Sequence, residues 1–548
     1  MHSVRAPRYR RSVTPGRIAL VASFLLGCAA DSTEAETDTD GETQSSAEGG
    51  SSAEEGGSSD PPPPLMASCE APTAPTLASP IEVGTADELR AAVAAGGEIR
   101  LTADITTDAP FPSTQPVVVD GAGHTISGGG STHLFVAEDA DLTVMNMTLR
   151  DAVNRVSDDE HFSRRSGAAV MMRGNGAGTL SVYGVSFENN TIGETGPGDL
   201  RGGALYAFAV PDVVIVDSQF TGNAGSNGGA VGGLGSSFSI VNTAFTGNET
   251  TGQGGTGALE GRGGAISLDA LSQNEKTAYL EVCGSFFENN RAKHAGGAIA
   301  LVTHQWQGAT VVIDQSTFRS NSTNDSAGGS GGAIYLQDDE NYPREGEANR
   351  ALISGSTFEG NETLGGGGGL WFLTESGRLE LHNNTFFENR TTAGMGMGGA
   401  VALVGGPTDI THCTFSDNHA QFHGGGIQAA QDALVTVTNS LFANNTSDRD
   451  GGWAWFHANR ELGDGGGNIQ WLDPALEIDS NSNKLVSPGT SIADPQLMSL
   501  GDNGGATHTM ALPMGSPAVD AGVDAALPGD QRGEPRNGAP DVGAYEVQ

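Results

Sequence analysis

Residues 356–373 read STFEGNETLGGGGGLWFL. Phe358, Asn361, glycines 365–369 and an aromatic run follow one another in an order that a lone loop has no reason to keep. The same order recurs along the chain. Phe-x-x-Asn stands at 187–190, 220–223, 245–248, 287–290, 318–321, 358–361, 386–389, 415–418 and 442–445. Each is followed by a double glycine, at 202–203, 228–229, 263–264, 296–297, 331–332, within 365–369, and at 398–399, 424–425 and 451–452. The spacing from Phe to Phe runs from 25 to 42 residues, so the units share a core and differ by loop insertions.

Alignment on the Phe defines that core. Seven and five places before it stand apolar pairs such as Leu180/Val182, Val213/Ile215, Phe238/Ile240, Leu280/Val282 and Leu379/Leu381. This is the period-two alternation of a strand with one buried face. Two places before the Phe the residue is usually Ser or Thr (Ser218, Thr243, Ser285, Ser316, Ser356, Ser440), and the buried parity changes between the two positions. One continuous strand cannot change parity, so the chain must bend. Asn242, Asn383 and Asn439, three places before the Phe, are residues that a tight turn favours. After the double glycine a further strand alternates, as in Leu205/Ala207, Ile266/Leu268, Ile299/Leu301, Ile334/Leu336 and Leu370/Phe372.

Each unit is therefore strand, bend, short strand, turn, glycine corner, strand, with no helical period between. Such units stacked on one another make an all-β solenoid, a parallel β-helix. The Phe residues should pile up inside the prism at about 4.8 Å per coil, and the Asn residues should line a corner within reach of one another. LTVMNMTL (142–149) fits the register with Leu149 in place of Phe. TADELRAAVAAGGEIRL (85–101) predicts a short amphipathic helix with Thr85 as N-cap and Leu89, Ala92 and Val93 on one face, a cap for the open N-terminal end.

The flanks suggest export. Arg5, Arg8, Arg10, Arg11 and Arg17 precede an apolar stretch ending in Leu25-Leu26-Gly27-Cys28, the pattern of a signal peptide over residues 1–27. Residues 28–70 form an acidic, Ser/Gly/Pro-rich tether almost without apolar side chains. The expected organisation continues with an N-terminal cap and first coils over 71–164, the repeats over 165–467, and terminal coils and a cap over 468–548. The net charge is −39, and beyond residue 27 it is 22 basic against 66 acidic side chains, or −44. Such a surface repels nucleic acid. With Cys28 set aside, Cys69, Cys283 and Cys413 form no framework. Cys413 takes the place of the Ser column and Cys283 lies four coils away, so both are expected as free thiols.

These motifs carry three resemblances. LLGC at 25–28 resembles a bacterial lipobox, which implies a lipid on Cys28 and a place at the outer membrane or cell surface. Phe-x-x-Asn alternating with Gly-Gly-Ala-Ile (263–266, 296–299, 331–334) resembles the repeat of polymorphic outer-membrane proteins, β-helical surface proteins implicated in adhesion. The C-terminal ADPQLMSLGDNGGATHTMALPMGSPAVDAG and DQRGEPRNGAPDVGAYE resemble the terminal segment of bacterial right-handed β-helix proteins with varied anchors, the choice-of-anchor class. The resemblance implies a right-handed helix and is silent on activity. Asp520, Asp530, Arg532, Arg536, Asp541 and Glu546 are read as paired charges and turns closing that end, in preference to an ion site.

The wider pectate-lyase-like superfamily places its groove on the outer face of the strand that follows the glycines. Outward positions there, read from Met171 and Arg173 onward, include one acid, Asp269, and one base, Arg173, which leaves no carboxylate pair for glycoside chemistry. They do include Tyr206, Tyr335 and Trp371, an aromatic surface fit for stacking on sugars. The expectation is thus a lipid-anchored surface protein that binds polysaccharide or protein partners without catalysis and without a cofactor. The alternative is a polysaccharide lyase or hydrolase, with Ca²⁺ in the lyase case, acting from loops 155–165 and 338–345. Its residues would be Asp158, Asp159, His161, Arg164, Asp338, Asp339 and Arg344. Solvated charged loops are the commoner meaning of such stretches.

Overall fold

The computed structural model describes residues 70–155, 164–192, 200–252, 261–271, 278–303, 309–324, 329–338, 349–374, 377–448, 456–473, 484–523 and 527–548. Its strands form three long parallel sheets, of 26, 11 and 10 strands. The first holds the strand before each bend and the Phe strand after it. The second holds the strands that follow the glycines, and the third the short strands that follow the Asn. Among the described residues no helix is long and apolar enough to cross a membrane.

The bend lies where the parity change requires it. Three places before each Phe or its equivalent stand Asn146, Gly184, Asp217, Asn242, Gly284, Gln315, Gly355, Asn383, His412 and Asn439, all with φ between 46° and 59°. One left-handed residue turns the chain and flips which parity faces inward. In the opening stretch the glycines divide the work. Gly367 has φ 69°, and a Cβ on Gly368 would lie 2.2 Å from the Gly399 carbonyl of the next coil.

Inside the prism, Phe187, Phe220, Phe245, Phe287, Phe318, Phe358, Phe386, Phe415 and Phe442 form one column. Successive ring centroids are 4.4–4.9 Å apart, with planes within 11° of parallel. The sheet spacing dictates this distance and leaves the rings no arrangement but a stack. Ile105, Ile126 and Leu149 continue the column toward the N-terminus, and Gln470 succeeds Phe442. Each buried ring contributes about 1.5–3 kcal/mol.

Asn190 through Asn445 form a second column at the next corner. Asn321 is typical: its Nδ2 donates to the Phe287 carbonyl and to Asn361 Oδ1, and its Oδ1 accepts from the backbone N–H and the Nδ2 of Asn290. A third column runs through Ser218, Thr243, Ser285, Ser316, Ser356, Asn384, Cys413, Ser440 and Asn468. Most of its side-chain oxygens accept the backbone N–H of the preceding coil at 2.9–3.4 Å. Corner N–H groups that no strand can use are satisfied in this way.

The helix Ala86–Ala95 begins at Thr85 with a reciprocal capping box to Glu88 and buries Leu89, Ala92 and Val93. It lies against strands Gly97–Leu101 and Phe111–Ser113. At the other end, strands Gly463–Asp464, Ile469–Trp471 and Ser491–Ile492 still extend the first sheet. The chain then returns along the outside of the bends. Thr507 Oγ1 donates to the Gly355 carbonyl, Asn383 Nδ2 to Gly529, and the Gly543 N–H to Asn439. The charges named from the sequence hold this strap closed: Arg532 pairs with Asp530 at 2.7 Å and Arg536 with Glu546 at 3.0 Å. Asp541 accepts the N–H groups of Asp520 and Val547.

The cysteine expectation is half right. Cys413 is a free, buried thiol in the Ser column, and burial pushes its pKa up to about 12. Cys283, however, is disulfide-bonded, to a partner outside the described residues. It ends the strand Tyr279–Cys283 with a partly exposed side chain. A sulfur at that edge can be met by a segment remote in sequence, which spacing does not reveal.

His412 makes stability depend on pH. It is buried at its bend, its Nε2 3.0 Å from Asn439 Nδ2, and it faces Arg536, His382 and the backbone of Asp541 and Gly543. Burial first, then Arg536, lowers its pKa to about 3. Burial lowers that of His457 likewise to about 3. The folded pKa is depressed, so the unfolded chain takes up the proton first, and stability is lost as pH falls from about 6.5 toward 3. Denaturant titrations at pH 7 and pH 5 should differ by about 2 kcal/mol per histidine. His412→Asn, which places at this bend the residue found at 383 and 439, should remove its share.

Candidate functional site

The outer face of the second sheet is built by three columns. The first runs Met171, Tyr206, Gly232, Ser267, Ala300, Tyr335, Trp371, Ala402, Gln428, and the second runs Glu138, Arg173, Phe208, Leu234, Asp269, Val302, Gln337, Leu373, Val404. Beside them the residues before each double glycine bridge coil to coil: Arg201, Asn227, Arg262, Ala295, Ser330, Gly366, Met397 and His423.

The aromatic surface is smaller than the parity implied. Tyr206 has no accessible surface and Tyr335 is 8% exposed, so neither is open to a ligand as expected. Alternation says which way a side chain leaves the sheet and nothing of what lies over it. Tyr335 is covered by a satellite apolar cluster of Ala295, Ala300 and Val302, with Trp371 against it. Its hydroxyl donates to Gln337 Oε1 at 2.6 Å. Trp371 remains partly exposed. Its ring lies 6.5 Å from that of Tyr335, at 10° to it. It rests on Gly366, where a Cβ would come within 2.4 Å of the indole. The indole Nε1 is buried and has no hydrogen-bond acceptor among the described residues.

The charges on this face are mostly paired. Arg201 reaches across Gly232 to Asp269, two coils on, at 2.7 Å. Glu138 binds Arg173 at 3.4 Å and Arg164 at 3.3 Å. Among the described residues of the two outward columns the acids are Glu138 and Asp269. They lie four coils apart, about 19 Å at the sheet spacing, too far for a glycosidase pair. A small notch with room for about one water lies at Asp269, lined also by Arg201, Arg262, Ser267, Leu268 and Val302. Sequence reading passed over Arg201 and Arg262. Their signal is an arginine immediately before the double glycine, in LRGG (200–203) and GRGG (261–264).

Of the loop candidates, Asp158, Asp159, His161, Asp339 and Arg344 lie outside the described residues. Arg164 is exposed and paired with Glu138. Asp338 corrects its reading as a loop residue. It is the last residue of the strand Ile334–Asp338, on the inward parity of Ile334 and Leu336, and is buried. Its carboxylate accepts from Thr374 Oγ1 at 3.3 Å, so it has no access to a substrate. Among the described residues, no group of three or more His, Cys, Asp or Glu side chains is placed to hold a metal ion.

A comparison with curated proteins returns no match. A family model described as "right handed beta helix region" matches residues 313–463. With the parallel register of all three long sheets, that match supports a right-handed parallel β-helix as the fold of the described coils.

Proposed function

We propose that this protein is a surface-displayed β-helix, anchored by a lipid on Cys28, that binds glycan on the outer face of its second sheet without catalysing its cleavage. The observation that carries this reading is Trp371: a partly exposed indole backed by a parallel tyrosine on the neighbouring coil. A flat apolar ring at the surface suits a sugar, whose C–H face stacks on it. The burial of Asp338 and the wide separation of Glu138 and Asp269 weigh against the lyase or hydrolase alternative.

Trp371→Ala tests the reading. The purified protein should bind one or more classes of a glycan array, and the variant should bind them at least tenfold more weakly, with unchanged circular dichroism. Equal binding by both proteins, or release of new reducing or unsaturated ends by the wild type, would overturn it.

A further inference from the structure

Of the four cysteines in the chain, Cys413 is a free thiol and Cys283 is disulfide-bonded. The partner of Cys283 is therefore Cys28 or Cys69. The course of the chain before the first strand decides between them. Glu70, the first described residue, follows Cys69 directly, and residues 70–80 read EAPTAPTLASP. Residues 70–77 belong to no strand or helix, and the prolines at 72, 75 and 80 favour an extended backbone. Ile81 pairs with Ile99 at the edge of the first sheet. The N–H groups of Ala78 and Ser79 both donate to Glu98 Oε2 at 2.8 Å. Traced backwards from Ile81, the chain thus steps from the first coil onto the second, outside the sheet and toward the coils that follow.

That direction leads to Cys283. Its strand lies six coils beyond that of Glu98, about 29 Å at the sheet spacing. The nine residues from Ala78 back to Cys69 extend at most about 30–32 Å, so an extended segment reaches Cys283 without slack. The line between is also covered. Asp120, Met145, Val216 and Val241 share one outward column with Cys283, yet they are only 1–6% exposed. Burial on that side needs a segment laid across it, and one carrying Leu77, alanines and prolines suits the methionine and the valines.

We propose that a Cys69–Cys283 disulfide clamps this segment along the outside of the bends, so that a pull on the tether enters the solenoid at the coil of Cys283 and not at its N-terminal cap. The pairing stands by itself; its use as a load path rests on the reading above, in which the tether anchors the body and Trp371 holds the ligand. Trp371 lies three coils beyond Asp269, on the far side of Cys283 from the cap. Force between ligand and tether then crosses only those coils and bypasses the capping helix and every coil up to Cys283. In forming the bond the two thiols lose two protons and two electrons. A disulfide oxidant of the exported compartment takes them up and becomes a dithiol.

Peptide mapping of the exported full chain without reduction tests the pairing. The peptides of Cys69 and Cys283 should be recovered linked, with Cys413 free to alkylate once the protein is unfolded. A Cys28–Cys283 link, a link between two chains or a free Cys69 would overturn it. A linked Cys69–Cys283 pair beside a Cys28 without lipid would uphold the clamp and remove the lipid anchor, so the two readings fail separately. Pulling the full chain by its two ends tests the load path. Oxidised wild type should unfold to a length about 700–770 Å shorter than the reduced protein or Cys69→Ser, because the 214 residues between the two sulfurs stay out of the load. Melting curves establish that Cys69→Ser is folded. Equal unfolded lengths for the oxidised and reduced proteins would refute the load path.

Discussion

Replacing Asn321 by alanine should lower stability by about 3–6 kcal/mol, a large loss for one surface-sized side chain. The change removes the acceptor of two buried donors, the backbone N–H and the Nδ2 of Asn290. It also removes the donor to the Phe287 carbonyl and to Asn361 Oδ1. The Asn residues of this ladder, from Asn190 to Asn445, have no accessible surface, so the orphaned groups should bear most of their desolvation cost. The strands of each coil pair with those of its neighbours, and the damage should be local before it is global. Hydrogen exchange should accelerate first around residues 286–292 and 317–323, and the denaturation midpoint should fall. A loss below about 1 kcal/mol would show that the ladder is incidental to stability.

The second large effect is expected from a single methyl group. Gly297→Ala places a Cβ 2.0 Å from the Gly332 carbonyl and 2.5 Å from the Ser322 nitrogen, both backbone atoms of the next coil. Neither can swing aside as a side chain would, and separating the coils breaks hydrogen bonds on all three sheets. At least about 3 kcal/mol should be lost, and much of the protein should be recovered as aggregate. Gly394→Ala is the matched control: a Cβ there meets nothing within 4 Å, and the midpoint should move by no more than about 0.5 kcal/mol. Soluble, fully stable Gly297→Ala protein would mean that the coils are not in the close contact described.

Much of the scaffold was legible because each coil repeats the same physical problem. Phe358 and Asn361 mean little alone. Nine copies in one register mark a column, and the parity change before each Phe located a bend that proved to be a single left-handed residue every time. The return of the chain after Ile492 was not legible, since no period survives there. Its contacts join residues about 150 apart, such as Thr507 with Gly355.

The candidate site was legible only in part. Parity correctly placed Tyr335 beside Trp371 on adjacent coils, but it could not show that Tyr206 and Tyr335 would be covered and Trp371 left open. Asp338 looked like one more loop acid in LQDDEN (336–341), and the strand's length decided otherwise. The Arg201–Asp269 pair joins residues 68 apart and depends on the missing side chain of Gly232. Cys283 found a partner that no spacing announced.

By itself, then, the sequence determined the repeat: which residues face inward, where each coil bends and how coils stack. Short-range periodicity and backbone sterics suffice for that. Only the tertiary structure decided which outward side chains meet solvent and which charges pair, as Arg201 does with Asp269. Those depend on what a neighbouring coil or a distant segment lays across them, and stacking brings such groups within a few ångströms regardless of their separation along the chain.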